Sequence, residues 1–263
     1  LSYETIIFEL AEGVARIRLN RPELLNAFNL QMHADLQDVL KQLQVDPSVR
    51  LVVITGEGRA FSAGQDLNER KRGPNDPPFD LSEGAERRWQ PLVRGLARLP
   101  APIICGVNGV AAGAGSSVAL ACDIVIAAKR ARFIQAFVGI GLMPDAGATW
   151  NLPRVLGLPR AMALALTGEP LSAEQAAEWG MIWKAVDDDR FAEELEALVQ
   201  KLAKAPPLAL AAIKRALRGA ANATLEQQLD LERDLQKQLG FSEDYAEGVK
   251  AFGEKRPPVF KGR

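Results

Sequence analysis

Residues 108–123 read Asn-Gly-Val-Ala-Ala-Gly-Ala-Gly-Ser-Ser-Val-Ala-Leu-Ala-Cys-Asp. Small residues crowd the first half and apolar ones the second, so the stretch predicts a strand end turning into a buried helix. With so little side-chain bulk at the turn, a ligand can press against backbone N–H groups. The run Gly113-Ala114-Gly115 also suits close packing of a helix start, and the residues alone leave both readings open. There is no Lys-Ser or Lys-Thr ending of a phosphate loop and no Gly-x-Gly-x-x-Gly fingerprint. The stretch contains no carboxylate before Asp123.

Working outward, a second small-residue turn lies upstream at Phe61-Ser62-Ala63-Gly64-Gln65-Asp66. Two such turns can each offer one N–H to a shared pocket, the arrangement that stabilises a carbonyl oxygen gaining negative charge. Downstream, Asp145 stands alone among apolar and small residues, in Ile140-Gly141-Leu142-Met143-Pro144-Asp145-Ala146-Gly147. A carboxylate there is expected to be partly desolvated and to work as a proton carrier. The alternative is an N-cap, since Asp145 precedes a small-residue segment. Asp66 and Asp123 sit at element boundaries and are expected to satisfy backbone donors.

Around these turns, short apolar strands alternate with helical patterns up to about residue 190, which predicts an α/β fold. Ile6–Leu10 and Val14–Leu19 predict a hairpin across Glu12-Gly13. Leu51–Thr55, Ile103–Val107 and Ile124–Ala127 predict further strands, and Met32, Leu36, Val39, Leu40 and Leu43 recur at helical spacing. Residues 68–78 are polar and turn-rich, an exposed loop that is either a mobile lid or an inert excursion. From residue 159 the pattern is mostly helical, with segments at 161–166, 173–179, 192–203, 208–217 and 225–239. We expect a core over residues 1–195 and a helical appendage over 196–263 that packs on the core or on another subunit.

The chain has 263 residues, 48% hydrophobic and 25% charged, with a formal net charge of −1. The charge balance gives no reason to expect nucleic acid. No apolar run is long enough to span a membrane and no leader pattern is present, so a cytoplasmic protein is expected. Cys105 and Cys122 are expected to be buried free thiols. No cluster has metal-ligand spacing, so no metal is expected. The single histidine, His33, is expected on the surface, and Ser116 and Ser117 show no partner that could activate them.

Phe61–Leu67 (FSAGQDL) and Asn108–Asp123 together resemble the enoyl-CoA hydratase/isomerase, or crotonase, family. Asn20-Arg21-Pro22 with Asn26-Ala27, Ile140–Gly147 and the tail Ser242–Arg263 extend the resemblance over essentially the whole chain. It implies a spiral of repeated ββα units, a helical C-terminal trimerisation region, and a homotrimer or dimer of trimers. It implies an acyl-CoA thioester substrate, coenzyme A being part of that substrate rather than a separate cofactor. By position, the backbone amides of Gln65 and Ala114 would form the oxyanion hole. The substrate would run past Leu25, Ala27, Ala63, Asp66, Gly113, Ser117 and Phe137, with Phe252 or Lys255 reaching it from a neighbouring subunit.

The departures from the family pattern steer the expected chemistry. Family hydratases carry two glutamates that handle the added water, and their positions here hold Ser117 and Phe137. Asp145 is left as the one acid, at a point where some family isomerases and the dehalogenase branch carry an acid. The implied activity is an isomerase moving a proton on an acyl-CoA. The segment Ile140–Arg154 is most like the branch that rearranges an aromatic epoxide thioester to a ring-expanded oxepin. Isomerisation of straight-chain 3-enoyl thioesters, hydration, a dehalogenase, and a noncatalytic acyl-CoA-binding role are the alternatives. A dehalogenase needs a partner base, and His33 is poorly placed for that.

Overall fold

The computed structural model describes residues 2–71, 73, 75, 77 and 80–263. The lid expectation therefore rests partly on Arg72, Pro74, Asp76 and Pro78, which lie outside the described residues. The chain opens with a hairpin, β1 (Ile6–Ala11) and β2 (Val14–Leu19), paired from Ile6↔Leu19 to Ala11↔Val14. Glu12 and Gly13 have φ of 51° and 77°, the doubly left-handed tight turn whose twist matches the strands it joins.

β3 (Leu51–Gly56), β5 (Ile103–Val107), β7 (Ile124–Ala128) and β10 (Lys184–Val186) add parallel strands, giving one sheet in the order β1-β2-β3-β5-β7-β10. A smaller sheet, β4-β6-β8-β9, is built from β4 (Ala60–Ser62), β6 (Val110–Ala112), β8 (Arg132–Ile134) and β9 (Leu171–Ser172). Each of three successive turns of chain thus gives one strand to each sheet: β3 and β4, β5 and β6, β7 and β8. This is the repeated ββα spiral expected from the resemblance.

Parallel strands covered on both faces read as continuous apolar runs, which explains Leu51–Thr55. Val52, Ile54, Ile103, Cys105 and Val107 face the main core, with α1 (Leu30–Val45), α3 (Gln90–Arg98) and α4 (Ala114–Ala121). The alternate residues Leu51, Val53, Ile104 and Ile126 face the other way, onto Phe191, Leu195 and Val199 of α8 (Phe191–Ala203). A Cβ on Gly106 would stand 2.7 Å from Leu195, so glycine lets α8 lie close on the sheet. The division drawn at residues 195/196 falls inside this helix.

Between β4 and β5, α2 (Leu81–Gly84) runs through one π-helical stretch, Ala85–Trp89, directly into α3. α5 (Ala148–Leu156), α6 (Leu158–Thr167) and α7 (Ala173–Glu178) follow β8. The chain ends in α9 (Pro207–Ala220), α10 (Leu225–Gly240) and α11 (Glu243–Glu254). α10 opens on a reciprocal capping box between Thr224 and Gln227. These last helices leave Ile213, Leu217, Leu225, Phe241, Val249 and Phe252 exposed. α9 is tied to the core through Asp123, which pairs with Lys214 at 2.8 Å and Arg218 at 2.6 Å and accepts the Ile103 N–H at 2.8 Å.

Cys105 and Cys122 are buried free thiols. Among the described residues, no helix is long and apolar enough to cross a membrane.

Candidate active site

The first turn is held in place by the segment before α1. Asn26 is fully buried, accepts the Arg21 N–H at 2.9 Å, and donates to the Glu57 and Ala60 carbonyls at 2.9 Å each. Leu25 and Asn26 both adopt left-handed φ, 51° and 54°, so the chain doubles back beside β4. The Leu25 carbonyl accepts the Ala63 N–H at 2.9 Å, the Gly64 carbonyl accepts the Phe28 N–H at 2.7 Å, and the Phe28 carbonyl accepts the Asp66 N–H at 2.9 Å. Residues 64 and 66 bond to Phe28 on one side. Strand alternation then turns the Gln65 N–H the other way.

The second turn follows β6. Gly113 donates its N–H to Ile134 at 2.8 Å and takes φ 51°, ψ −127°, a conformation open to glycine and strained for other residues. Ala114 is then the first residue of α4, where an N–H has no partner within the helix. Among the described residues, neither the Gln65 nor the Ala114 N–H meets an acceptor. The two turns touch: a Cβ on Gly64 would lie 2.7 Å from the Ala112 carbonyl and 3.1 Å from the Ala114 nitrogen. The packing reading of Gly113-Ala114-Gly115 holds at Gly115, where a Cβ would strike the Ser62 carbonyl at 2.5 Å. Gly115 serves packing, while Gly113 sets the turn that leaves the Ala114 N–H open.

These turns border a cavity of about 570 Å³, lined in part by Ala63, Gln65, Gly113, Ala114, Phe137 and Asp145. Leu67, Leu81, Trp89, Ile140 and Leu142 supply apolar wall, and Arg70 a cation. Among the described lining residues, Asp145 is the one carboxylate. It caps no helix: α5 begins at Ala148 with Gly147 as its N-cap, and Asp145 contributes its backbone carbonyl to the Ala148 N–H at 3.0 Å. The side-chain alternative of an N-cap is thereby excluded. The Oδ1 of Asp145 is buried and accepts no hydrogen bond. Burial pushes its carboxyl above the ordinary aspartate value, while the charge of Arg70 pulls it back. The next residue, Ala146, is left-handed at φ 50°, a local strain of the kind that collects at functional sites.

Other sequence-predicted residues fall outside the cavity wall. Ser117 is fully buried on α4, its hydroxyl donating back to the Gly113 carbonyl at 3.4 Å. Asp66 is a structural acid, paired with Arg21 at 3.0 Å and accepting the Asn68 N–H at 3.0 Å. Leu25 and Ala27 flank the first turn, and the Ala27 carbonyl accepts from Arg21 at 2.6 Å. Phe252 is 87% exposed on α11, and Lys255 ends that helix at φ 53°.

The surface expectation for His33 is overturned. It is 2% exposed, with its ring 4.4 Å edge-on from Trp89 and 5.4 Å from Phe28. The apolar stripe of α1 is wide enough to take in residue 33 beside Met32 and Leu36. Burial, with the charges of Arg88 and Arg70, pushes its imidazole down to about 3.

The sequence also gave no sign of Arg70 and Trp89 as cavity residues. Arg70 lies in a charged stretch with no pattern, and Trp89 reads as ordinary helix core.

A sequence profile of enoyl-CoA hydratase/isomerase proteins matches residues 9–263. The chain belongs to that family. It is 54% identical over 260 residues to the 1,2-epoxyphenylacetyl-CoA isomerase of Escherichia coli K12, covering 99% of each chain. It is 47% identical, over the full length of both, to a Rhodobacter capsulatus protein named "Probable enoyl-CoA hydratase". Among solved structures, an enoyl-CoA hydratase from Bacillus anthracis superposes with a TM-score of 0.93 at 32% identity, over 99% of this chain and all of the other. The crotonase fold and membership among its acyl-CoA enzymes are thus established from both sequence and shape.

Proposed function

We propose that this enzyme isomerises 2-(1,2-epoxy-1,2-dihydrophenyl)acetyl-CoA to the oxepin thioester, with Asp145 as the proton carrier. The observation that carries the reading is that one half-buried carboxylate and two open backbone N–H groups line one apolar cavity. The relative with 54% identity is an isomerase named for this epoxide. In the reaction, Asp145 takes a proton from the carbon alpha to the thioester. The electron pair moves onto the thioester oxygen, which the Gln65 and Ala114 amides receive as an enolate. The carbon–carbon bond shared by epoxide and ring opens to the seven-membered ether, and Asp145 returns the proton to a ring carbon. No water is consumed and no atom is lost.

Phe137 occupies cavity wall where a hydratase would need an acid, so a water molecule lacks its second carboxylate and an aromatic acyl group gains a face. Straight-chain 3-enoyl thioesters fit the same proton transfer as secondary substrates. The exposed apolar residues of α9–α11 support assembly as a trimer or a dimer of trimers, with Phe252 and Lys255 reaching toward a neighbour's thioester. Residues 196–263 would then be the oligomerisation region. Turnover of the epoxide thioester against a straight-chain 3-enoyl thioester tests the assignment. A marked preference for the straight chain overturns it, and efficient hydration of crotonyl-CoA overturns the one-acid mechanism.

A further inference from the structure

Arg70 closes the short 3₁₀ turn Leu67–Arg70, whose start is fixed by the Asp66 carboxylate on the Asn68 N–H. It shares the cavity wall with Asp145. Its guanidinium and that of Arg88 converge: a Cβ on Gly84 would meet Arg88 Nη2 at 2.5 Å and Arg70 Nη2 at 3.2 Å. Two cations so close raise each other's free energy unless an anion shares the site. Glu69, on the same turn, accepts the Leu30 N–H at 3.0 Å. Asp145, lining the same cavity, has a buried oxygen that accepts no hydrogen bond. From α1, His33 faces the two arginines as a neutral ring at neutral pH. Among the described residues, charge at this wall includes Arg70, Arg88, Glu69 and Asp145.

We propose that Arg70 is the positioning residue for Asp145, supplying from the shared cavity lining the positive charge that keeps this carboxylate ready to accept a proton. Arg70 acts through Asp145 and needs no contact with the reacting carbon. Burial lifts the Asp145 carboxyl, and Arg70 is the charge that opposes the lift. Arg70 in turn is lowered by its burial and by Arg88, and raised by Glu69 and Asp145. The consequence for catalysis rests on the reading of Asp145 as the proton carrier. The charge coupling itself does not.

The test uses the full chain with Arg70→Gln, a second neutral variant Arg70→Met, and Arg70→Lys, each checked for a native melting transition. The Asp145 carboxyl is titrated by carbon-13 NMR and assigned by its absence in Asp145→Asn. In parallel, the pH profile of kcat/KM is measured with a 3-enoyl thioester. In the neutral variants the titration midpoint and the acid limb of activity both move up by about one pH unit, and Lys restores both. A midpoint that stays put in the neutral variants overturns the proposal, as does one that moves as far with Lys as with Gln. A midpoint that moves while the acid limb stays keeps the coupling and overturns Asp145 as the proton carrier.

Discussion

Two walls meet at Trp89, and each holds an ionisable group that makes no hydrogen bond through its buried atoms. On the cavity side stands Asp145, and behind the indole stands His33. Burial favours the neutral form of both groups, which means a raised carboxyl in one and a lowered imidazole in the other. The two differ in access. Asp145 opens onto about 570 Å³ of cavity beside two unpaired amides, whereas His33 is sealed between rings. The same desolvation therefore raises the carboxyl proposed as proton carrier at one wall and silences a base at the other.

The largest effect that sharpens this contrast is loss of the carboxylate. Asp145→Asn is expected to lower kcat/KM for isomerisation by about 10²–10⁴-fold, with coenzyme A thioester binding retained. His33→Phe, at neutral pH, is expected to leave the rate within a few fold. In the wild type, activity falls with pH through the raised Asp145 value, so the acid limb lies above 3.8. Equal losses in the two variants would break the comparison.

The open amides come next. Ala114→Pro deletes one N–H at the first position of α4, where proline's fixed φ is compatible with a helix. The expected cost is about 10²–10³-fold in kcat with little change in KM, the signature of a donor used mainly in the transition state. A change confined to KM would show that Ala114 only helps to seat the thioester.

The elements most legible in sequence are those whose pattern comes from local burial. Ile103–Val107 and Val14–Leu19 match their strands residue for residue, and the helical spacing from Met32 to Leu43 falls within α1. β4, β6, β8, β9 and β10 are too short, at two or three residues each, to build a periodicity. α5 carries Pro153 and is capped by Gly147, so it hides both its start and its interior. The tail resemblance over Ser242–Arg263 carries no helix expectation of its own for α11.

As members of the cavity wall, Gly113, Gln65 and Asp145 are legible because turns and lone acids leave local marks. Arg70 is not, since its place beside Asp145 exists only after residues 70 and 145 are brought together. His33 is buried against expectation because one polar residue on an amphipathic helix reveals little about the width of the buried stripe.

A smaller effect tests the silent wall through stability. The imidazole titrates near 6.5 when unfolded and near 3 when folded, so the unfolded chain takes up the proton first as pH falls. Stability is fully present above 6.5 and declines toward 3. Between 6.5 and about pH 5 the loss is about 2 kcal/mol, at roughly 1.4 kcal/mol per unit. His33→Phe is expected to flatten that part of the denaturation profile, measured by urea midpoint against pH. A slope unchanged from wild type would mean that His33 is protonated inside the fold.

The smallest effect returns to Asp145 with the opposite sign. Its folded value is raised, so the folded state holds its proton to higher pH than the unfolded chain does. Stability is then lost as pH rises through the window above 3.8, and at neutral pH the carboxylate is a net strain on the fold. Asn keeps the shape and removes the charge, and the counter-charge it abandons, Arg70, keeps Glu69 close by. Asp145→Asn is therefore expected to melt at the same temperature as wild type or slightly above it at neutral pH. That gain, about 1 kcal/mol or less, should vanish below the ordinary aspartate range. A clear loss of stability at neutral pH would make Asp145 a structural anchor and put it on the same footing as Asp66 and Asp123.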